Sequence, residues 1–256
     1  MTHGIINLSV VPIRLEPSDT SEMVTQALFG ELLSILETQQ QWIKIRLNDD
    51  GYEGWMDKKM MLPLAEEEFE KLKSDKQFLT DFITFVFTQD ETPVALPIGV
   101  QFPAITDGKF QLGKESFMVE AEVTSGILPK KKIVEMAHLF LNTPYLWGGK
   151  SIFGIDCSGF TQLVYKICGY SLPRDAYQQA EKGEPLSFIE EAEAGDLAFF
   201  DNENGKIIHV GIILSENRII HAHGKVRIDH IDYSGIFNAE QGKHTHRLRV
   251  IKKIIA

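Results

Sequence analysis

Tyr145-Leu146-Trp147-Gly148-Gly149-Lys150-Ser151-Ile152-Phe153-Gly154-Ile155-Asp156-Cys157-Ser158-Gly159-Phe160 runs from flexible glycines into Thr161-Gln162-Leu163-Val164-Tyr165-Lys166-Ile167-Cys168-Gly169, and this stretch decides the reading of the C-terminal half. Its second part is apolar at helical spacing and stops at a glycine, which predicts a helix starting near Cys157 and closed by Gly169. A cysteine at a helix N-terminus meets unpaired backbone N–H groups and the positive end of the helix dipole, and both favour thiolate over thiol. The same amides can face the oxyanion of a tetrahedral intermediate. Cys168, the only other cysteine, falls near the helix C-terminus, where the dipole opposes a thiolate, and reads as a packing residue.

Outward from this helix, Ile133, Met136, Ala137, Phe140 and Leu141 recur at helical spacing within residues 130–142, and the pattern stops before Thr143-Pro144. A third helix is expected around Ala176 to Glu181, and β-rich sequence follows from Asp196 onward. Helices first and strands after predict an α+β domain over residues 126–256.

Two apolar, strand-like runs each carry a histidine: His209 in Ile207-Ile208-His209-Val210-Gly211-Ile212-Ile213-Leu214, and His221 in Ile219-Ile220-His221-Ala222-His223. A histidine in such a run needs a hydrogen-bond partner or a neutral state. A hairpin turning at Asn217 brings the two rings to the same end of one sheet, so that His209 can take the thiol proton while His221 fixes its tautomer. Alternation puts His223 on the same face as His221, and periodicity does not separate them. His244 and His246 lie in polar sequence and read as surface residues. A Cys-His-His zinc site lacks the fourth ligand or the short ligand pair that zinc usually takes, so no metal or other cofactor is expected.

Ahead of the α+β domain, residues 1–62 alternate short apolar runs with turn signals, including Trp42 to Leu47 and the polar turn Asn48-Asp49-Asp50-Gly51. This predicts a small all-β module. Gly51-Tyr52-Glu53-Gly54-Trp55-Met56, with Gln26-Ala27-Leu28-Phe29-Gly30-Glu31, resembles bacterial SH3 domains. Residues 63–125 hold an expected connecting helix, Leu64 to Leu79, with Phe69, Leu72 and Phe78 on one face. A second, degenerate SH3-like β module follows, with Asp107-Gly108 as a turn before Phe110-Gln111-Leu112.

Asp156-Cys157-Ser158-Gly159-Phe160, then His209-Val210-Gly211, then His221 resemble the NlpC/P60 family of cell-wall peptidases, and Pro144 to Gly149 and Leu172-Pro173-Arg174-Asp175 match as well. The resemblance covers about residues 130–250. It implies a papain-like fold with Cys157, His209 and His221 as catalytic residues. With SH3-like modules in front, the chain is similar to the γ-D-glutamyl-L-diamino acid endopeptidases, which implies cleavage before L-lysine or meso-diaminopimelate in murein peptides with a free N-terminal L-alanine. On the same resemblance Asp175 holds the substrate ammonium, Tyr145 positions the scissile carbonyl, Tyr52 enters the pocket, and Asp156 and Ser158 touch substrate. Glu22 or Glu31 supplies a second acid to the amine pocket. Ala176 departs from the serine the family often carries, which removes one donor. The other function classes compatible with these residues are a peptidoglycan-binding protein with an inert peptidase domain and an acyltransferase using the same residues.

The chain has 256 residues, 43% of them hydrophobic, which excludes a disordered or fibrous protein. Its formal charge of -10 without a long basic run argues against nucleic acid or an anionic membrane as partner. Apolar stretches such as Phe82 to Phe87 and Ile207 to Leu214 fall short of the ~18 to 20 residues of a membrane span. The opening residues lack a basic region leading into an apolar core, so a cytoplasmic location is expected. Both cysteines then stay as thiols.

Overall fold

A computed structural model of the chain describes residues 2–74 and 76–255. The chain divides into two compact units: Met1–Gly126 with Trp147–Ile152, and Ile127–Leu146 with Phe153–Ala256. Among the described residues no helix is long and apolar enough to cross a membrane.

In the first unit, the strands Met23–Leu28, Val10–Arg14, Glu53–Asp57, Trp42–Leu47, Leu32–Gln39, His3–Ile5 and Leu62–Leu64 pair in that order into one antiparallel sheet. Alternate residues point inward, and Val11, Ile13, Ile43, Ile45, Leu47 and Met56 form its core. The turn expected at residues 48–51 is present, with Gly51 at φ 72° and its N–H bonded to the Leu47 carbonyl at 3.0 Å. Gly54, the glycine before Trp55, answers a close strand crossing: a Cβ there would lie 2.5 Å from Ile13 Cγ2 and 2.9 Å from the Arg14 carbonyl oxygen.

The connecting helix is shorter than the sequence pattern suggests. It spans Glu66–Leu72 and buries Phe69, whose ring stacks on His3 at 3.9 Å. Phe78 does not share its face. It lies in the strand Gln77–Leu79, which pairs with Gln101–Phe102 and Val123–Thr124. Backbone pairing with two neighbours here overrides a modest helical propensity. A four-stranded sheet of Pro93–Pro97, Ile83–Thr88, Glu115–Val119 and Lys109–Leu112 completes this module. Phe110 and Phe117 stack at 5.1 Å, and both meet Phe29 edge-on. Asp107 and Gly108 both take positive φ in the expected turn.

Trp147–Ile152 packs into this first unit. The Lys150 N–H donates to Gln26 Oε1 at 2.7 Å, and Gly148, at φ 74°, lies where a Cβ would fall 2.1 Å from the Met23 carbonyl oxygen. Lys150 Nζ reaches Glu31 Oε1 at 3.0 Å and Oε2 at 3.2 Å, with both side chains buried.

In the second unit, the helix Lys131–Leu139 precedes the helix Cys157–Ile167, which ends at Gly169 with φ 86°. A short helix, Ala176–Gln179, follows. The strands Glu184–Leu186, Lys243–Lys253, Leu197–Asp201, Ile207–Leu214, Arg218–His223, Lys225–Asp232 and Gly235–Asn238 pair in that order. Gly235–Asn238 also pairs with Lys243–Lys253, so six of the strands close on themselves. Phe200, Ile213, Ile219, Ile231, Ile236 and Ile251 fill the core of this closed sheet. The helix Cys157–Ile167 packs on Ile207–Leu214, burying all but Lys166 of its eleven residues. This is the α+β architecture expected from the sequence.

Removing one partner of the Lys150–Glu31 pair strands a buried charge, which costs about 3–5 kcal/mol. Glu31→Ala is therefore expected to lower the unfolding free energy of the full chain by about that much in urea titration. The double variant Glu31→Met with Lys150→Met should lose far less. A single variant within about 0.5 kcal/mol of wild type would refute the pair's role.

Candidate active site

Cys157 occupies the first turn of its helix because Asp156 caps it: Asp156 Oδ1 accepts from the Gly159 N–H at 2.7 Å. Arg174, itself almost fully buried, binds the same carboxylate through Nη1 to Oδ1 at 3.0 Å and Nη2 to Oδ2 at 2.6 Å. Its Nη1 also donates to Ser158 Oγ at 3.0 Å. The side chains of Asp156 and Ser158, expected to touch substrate, also hold the start of the helix Cys157–Ile167. The reason is electrostatic, since a buried guanidinium requires a buried carboxylate.

The two histidines meet as the hairpin reading required. Glu216 and Asn217 take positive φ in the turn, and the register pairs Gly211 with His221. His209 Nε2 lies 2.8 Å from His221 Nδ1, with both rings buried. His221, not His223, is the partner of His209. His221 Nε2 reaches Asp229 Oδ2 at 3.0 Å, and Arg227 Nη2 donates to Asp229 Oδ1 at 2.9 Å. His246 is a correction to the surface reading: it is half-buried and stacks on His209 with centroids 4.2 Å apart and planes 25° apart. His244 is exposed and pairs with Asp232.

With Nε2 of His209 taken by His221, Nδ1 is the nitrogen left for a thiol. The Cys157 sulfur lies against the backbone N–H of Val210, the residue after His209, and of Ser158. Its electrostatics differ from the helix-end expectation. Burial, together with the nearby Asp156 carboxylate, pushes the Cys157 thiol up to about 12, outweighing Val210, Arg174 and Ser158. Burial also holds His209 well below its ordinary value, reinforced by His221, His246 and His223. Both shifts favour the uncharged forms, a thiol at Cys157 and a neutral imidazole at His209. Cys168, also buried, is pushed up to about 12 and stays a packing residue.

Tyr145 is half-exposed, its N–H donating to the Gly224 carbonyl at 3.0 Å. Burial and the neighbouring Cys157 and Asp156 push its hydroxyl up to about 12, so it is a donor at neutral pH. Asp175 caps the helix Ala176–Gln179, and its N–H donates to Gln178 Oε1 at 3.2 Å. Ala176 is its first residue and offers no side-chain donor there. Tyr52, Glu22 and Glu31 belong to the first unit. Tyr52 is half-buried beside Asp50, whose Oδ1 takes its N–H at 2.9 Å. Glu31 is occupied by Lys150 and the Leu28 N–H. Glu22 is exposed and accepts from the Trp147 indole at 2.5 Å. Among the described residues no group of His, Cys, Asp and Glu is placed to hold a metal.

The sequence profile of the NlpC/P60 family matches residues 142–249, and that of the bacterial dipeptidyl-peptidase SH3 domain matches residues 13–60. A gamma-D-glutamyl-L-lysine dipeptidyl-peptidase of Bacillus subtilis (strain 168) is 32% identical over 218 residues, covering 77% of this chain and 71% of that one. The chain belongs to the NlpC/P60 family. It is a cysteine peptidase by that membership. A second relative with the same name, from Bacillus cereus, is 25% identical over 80% of this chain and 68% of its own. The fold agrees with the crystal structure of an NlpC/P60 family protein from Bacillus cereus ATCC 10987 at a TM-score of 0.85 and 19% identity, covering 100% of both chains.

Within this NlpC/P60 domain, the glycine of His209-Val210-Gly211 has a steric cause. A Cβ at Gly211 would lie 2.9 Å from His221 Cβ and 2.8 Å from Ile219 Cδ1. Gly211→Ala is expected to displace His221 and cost about 100-fold in kcat/KM. Wild-type kinetics in that variant would show that His221 does not need the space.

The thiol and imidazole shifts set the pH response. His209 accepts a proton only when neutral, so kcat/KM should fall on acidification through a limb below pH 6.5 and be flat from pH 7 to 9, because Cys157 stays a thiol throughout. Iodoacetamide, which needs thiolate, should alkylate Cys157 at pH 7 no faster than free cysteine. Rapid alkylation at neutral pH, or a rising limb between pH 7 and 9, would indicate a preformed ion pair.

Proposed function

We propose that the chain hydrolyses the γ-D-glutamyl bond to an L-diamino acid, L-lysine or meso-diaminopimelate, in murein peptides with a free N-terminal L-alanine. The observation that carries this reading is the buried His209–His221 bond beside the Val210 N–H that meets the Cys157 sulfur. Relatives named gamma-D-glutamyl-L-lysine dipeptidyl-peptidase over most of the chain support the substrate class.

His209 Nδ1 takes the Sγ proton as the sulfur attacks the γ-carbonyl of D-glutamate. Backbone N–H groups around Cys157 meet the oxyanion, and the hydroxyl of Tyr145 positions the carbonyl. The intermediate collapses with His209 returning its proton to the leaving α-amine of the diamino acid. Water, deprotonated by His209, then attacks the thioester and frees L-alanyl-γ-D-glutamate with Cys157 as thiol. Burial of the site strengthens each of these electrostatic contacts. Asp175 binds the L-alanine ammonium. Such specificity suits recycling of wall fragments in the cytoplasm.

Incubation with L-Ala-γ-D-Glu-L-Lys and with its N-acetylated form tests the reading. Cleavage of the free peptide, at least 100-fold slower cleavage of the acetylated one, and loss of turnover in Cys157→Ala are expected, a range typical of removing one partner of a charge-assisted contact. Equal rates on both peptides would remove the ammonium role, and an inert wild-type protein would remove the activity.

A further inference from the structure

Two imidazoles joined by one hydrogen bond have two proton arrangements. If His209 carries its proton on Nε2, it donates to His221 Nδ1, and His209 Nδ1 keeps a lone pair. If His221 carries its proton on Nδ1, His209 accepts at Nε2, and its own hydrogen sits on Nδ1, facing away from the relay. Only the first arrangement leaves a base for the thiol. Distances between heavy atoms are the same in both, so something beyond the pair must choose.

We propose that Asp229, held by Arg227, is a positioning residue that sets the proton order of the His209–His221 relay. An ionised carboxylate is acceptor-only, and Asp229 Oδ2 lies 3.0 Å from His221 Nε2. That nitrogen must therefore carry the hydrogen. The neutral ring then has a bare Nδ1, which accepts from His209 Nε2–H across 2.8 Å. The lone pair is left on His209 Nδ1. His221 is fully buried and Asp229 nearly so, which leaves the carboxylate as the partner of Nε2. Arg227 fixes the carboxylate in turn: Nη2 donates to Oδ1 at 2.9 Å, Nε lies 2.8 Å from Oδ2, and Nη1 donates to Glu240 Oε2 at 2.9 Å. Burial raises Asp229, but its bonds to His221 and Arg227 outweigh that and keep it below the ordinary aspartate value, hence ionised. Burial holds His221 below its ordinary value even against Asp229, hence neutral.

The inference rests on His209 as the base, yet its own content, the proton order, is measured without turnover. Histidine-labelled wild-type protein should show by 15N NMR both His209 and His221 protonated at Nε2. Asp229→Asn should reverse them. Arg227 Nη2 makes a directed hydrogen bond to the Oδ1 position, whereas Nε, though close to Oδ2, makes none, so the amide oxygen takes the Oδ1 position and the nitrogen falls at Oδ2, donates to His221 Nε2, and leaves both rings with hydrogen on Nδ1. On the peptide of the preceding section kcat/KM should drop about 10⁴-fold, the loss that accompanies a reversed tautomer in serine peptidase triads. A wild-type His221 protonated at Nδ1 overturns the proposal even if the variant fails to fold. So does an Asp229→Asn protein with unchanged tautomers or wild-type kcat/KM. A tautomer reversal in a protein whose wild type cleaves no peptide would uphold the proton order and refute the proposed function.

Discussion

The contact on which the position of Cys157 depends is the buried pair between Asp156 and Arg174. One carboxylate serves two masters: it caps the helix at the Gly159 N–H and neutralises a guanidinium that has almost no solvent. Neither role is tolerable alone, since an uncapped helix end leaves buried donors unpaired and an uncompensated charge in the interior costs several kcal/mol. Cys157 follows Asp156 directly, so the constraint that satisfies the charge also fixes the sulfur at the start of the helix.

That solution has an electrostatic consequence. A helix N-terminus favours a thiolate, but Cys157 is buried beside the negative Asp156 carboxylate, and desolvation prevails. On the facing strand, burial likewise keeps His209 neutral. Both groups are thus pushed toward their uncharged forms, so in the proposed reaction charge separates only when a carbonyl is present to receive the sulfur. A site of this kind relies on the orientation of its base more than on a standing thiolate, which raises the importance of whatever orients His209.

The elements legible in the sequence were those whose cause is local. The helix from Cys157 to Gly169 shows its apolar spacing and its glycine stop, and the hairpin joining His209 to His221 shows its two apolar runs and a turn. The Asn48 to Gly51 and Asp107-Gly108 turns are likewise written in residues that accept positive φ. What was misread depends on pairing across distance. Phe78 has the spacing of a helix face, but two strands from elsewhere in the chain claim its backbone. His246 sits in a polar run, and only closure of the sheet through Gly235–Asn238 and Lys243–Lys253 brings its ring onto His209. The bonds of Asp156 and Ser158 to Arg174 likewise join residues 16 to 18 positions apart and have no local signal in the sequence.

Asp229 was invisible for a related reason. In Arg227-Ile228-Asp229 the charges alternate as on any solvated strand, yet Asp229 lies opposite Ile219 in the register, one row from His221, on a face that the closed sheet buries. Once there, it repeats the arrangement at the other end of the site: an aspartate oriented by an arginine, each oxygen given a defined donor. At Asp156 the carboxylate fixes a backbone, and the sulfur follows. At Asp229 it fixes a hydrogen on His221 Nε2, and the lone pair of His209 follows two bonds away. The proposed reaction needs both, because a thiol that is not already ionised reacts only if a lone pair is waiting for its proton.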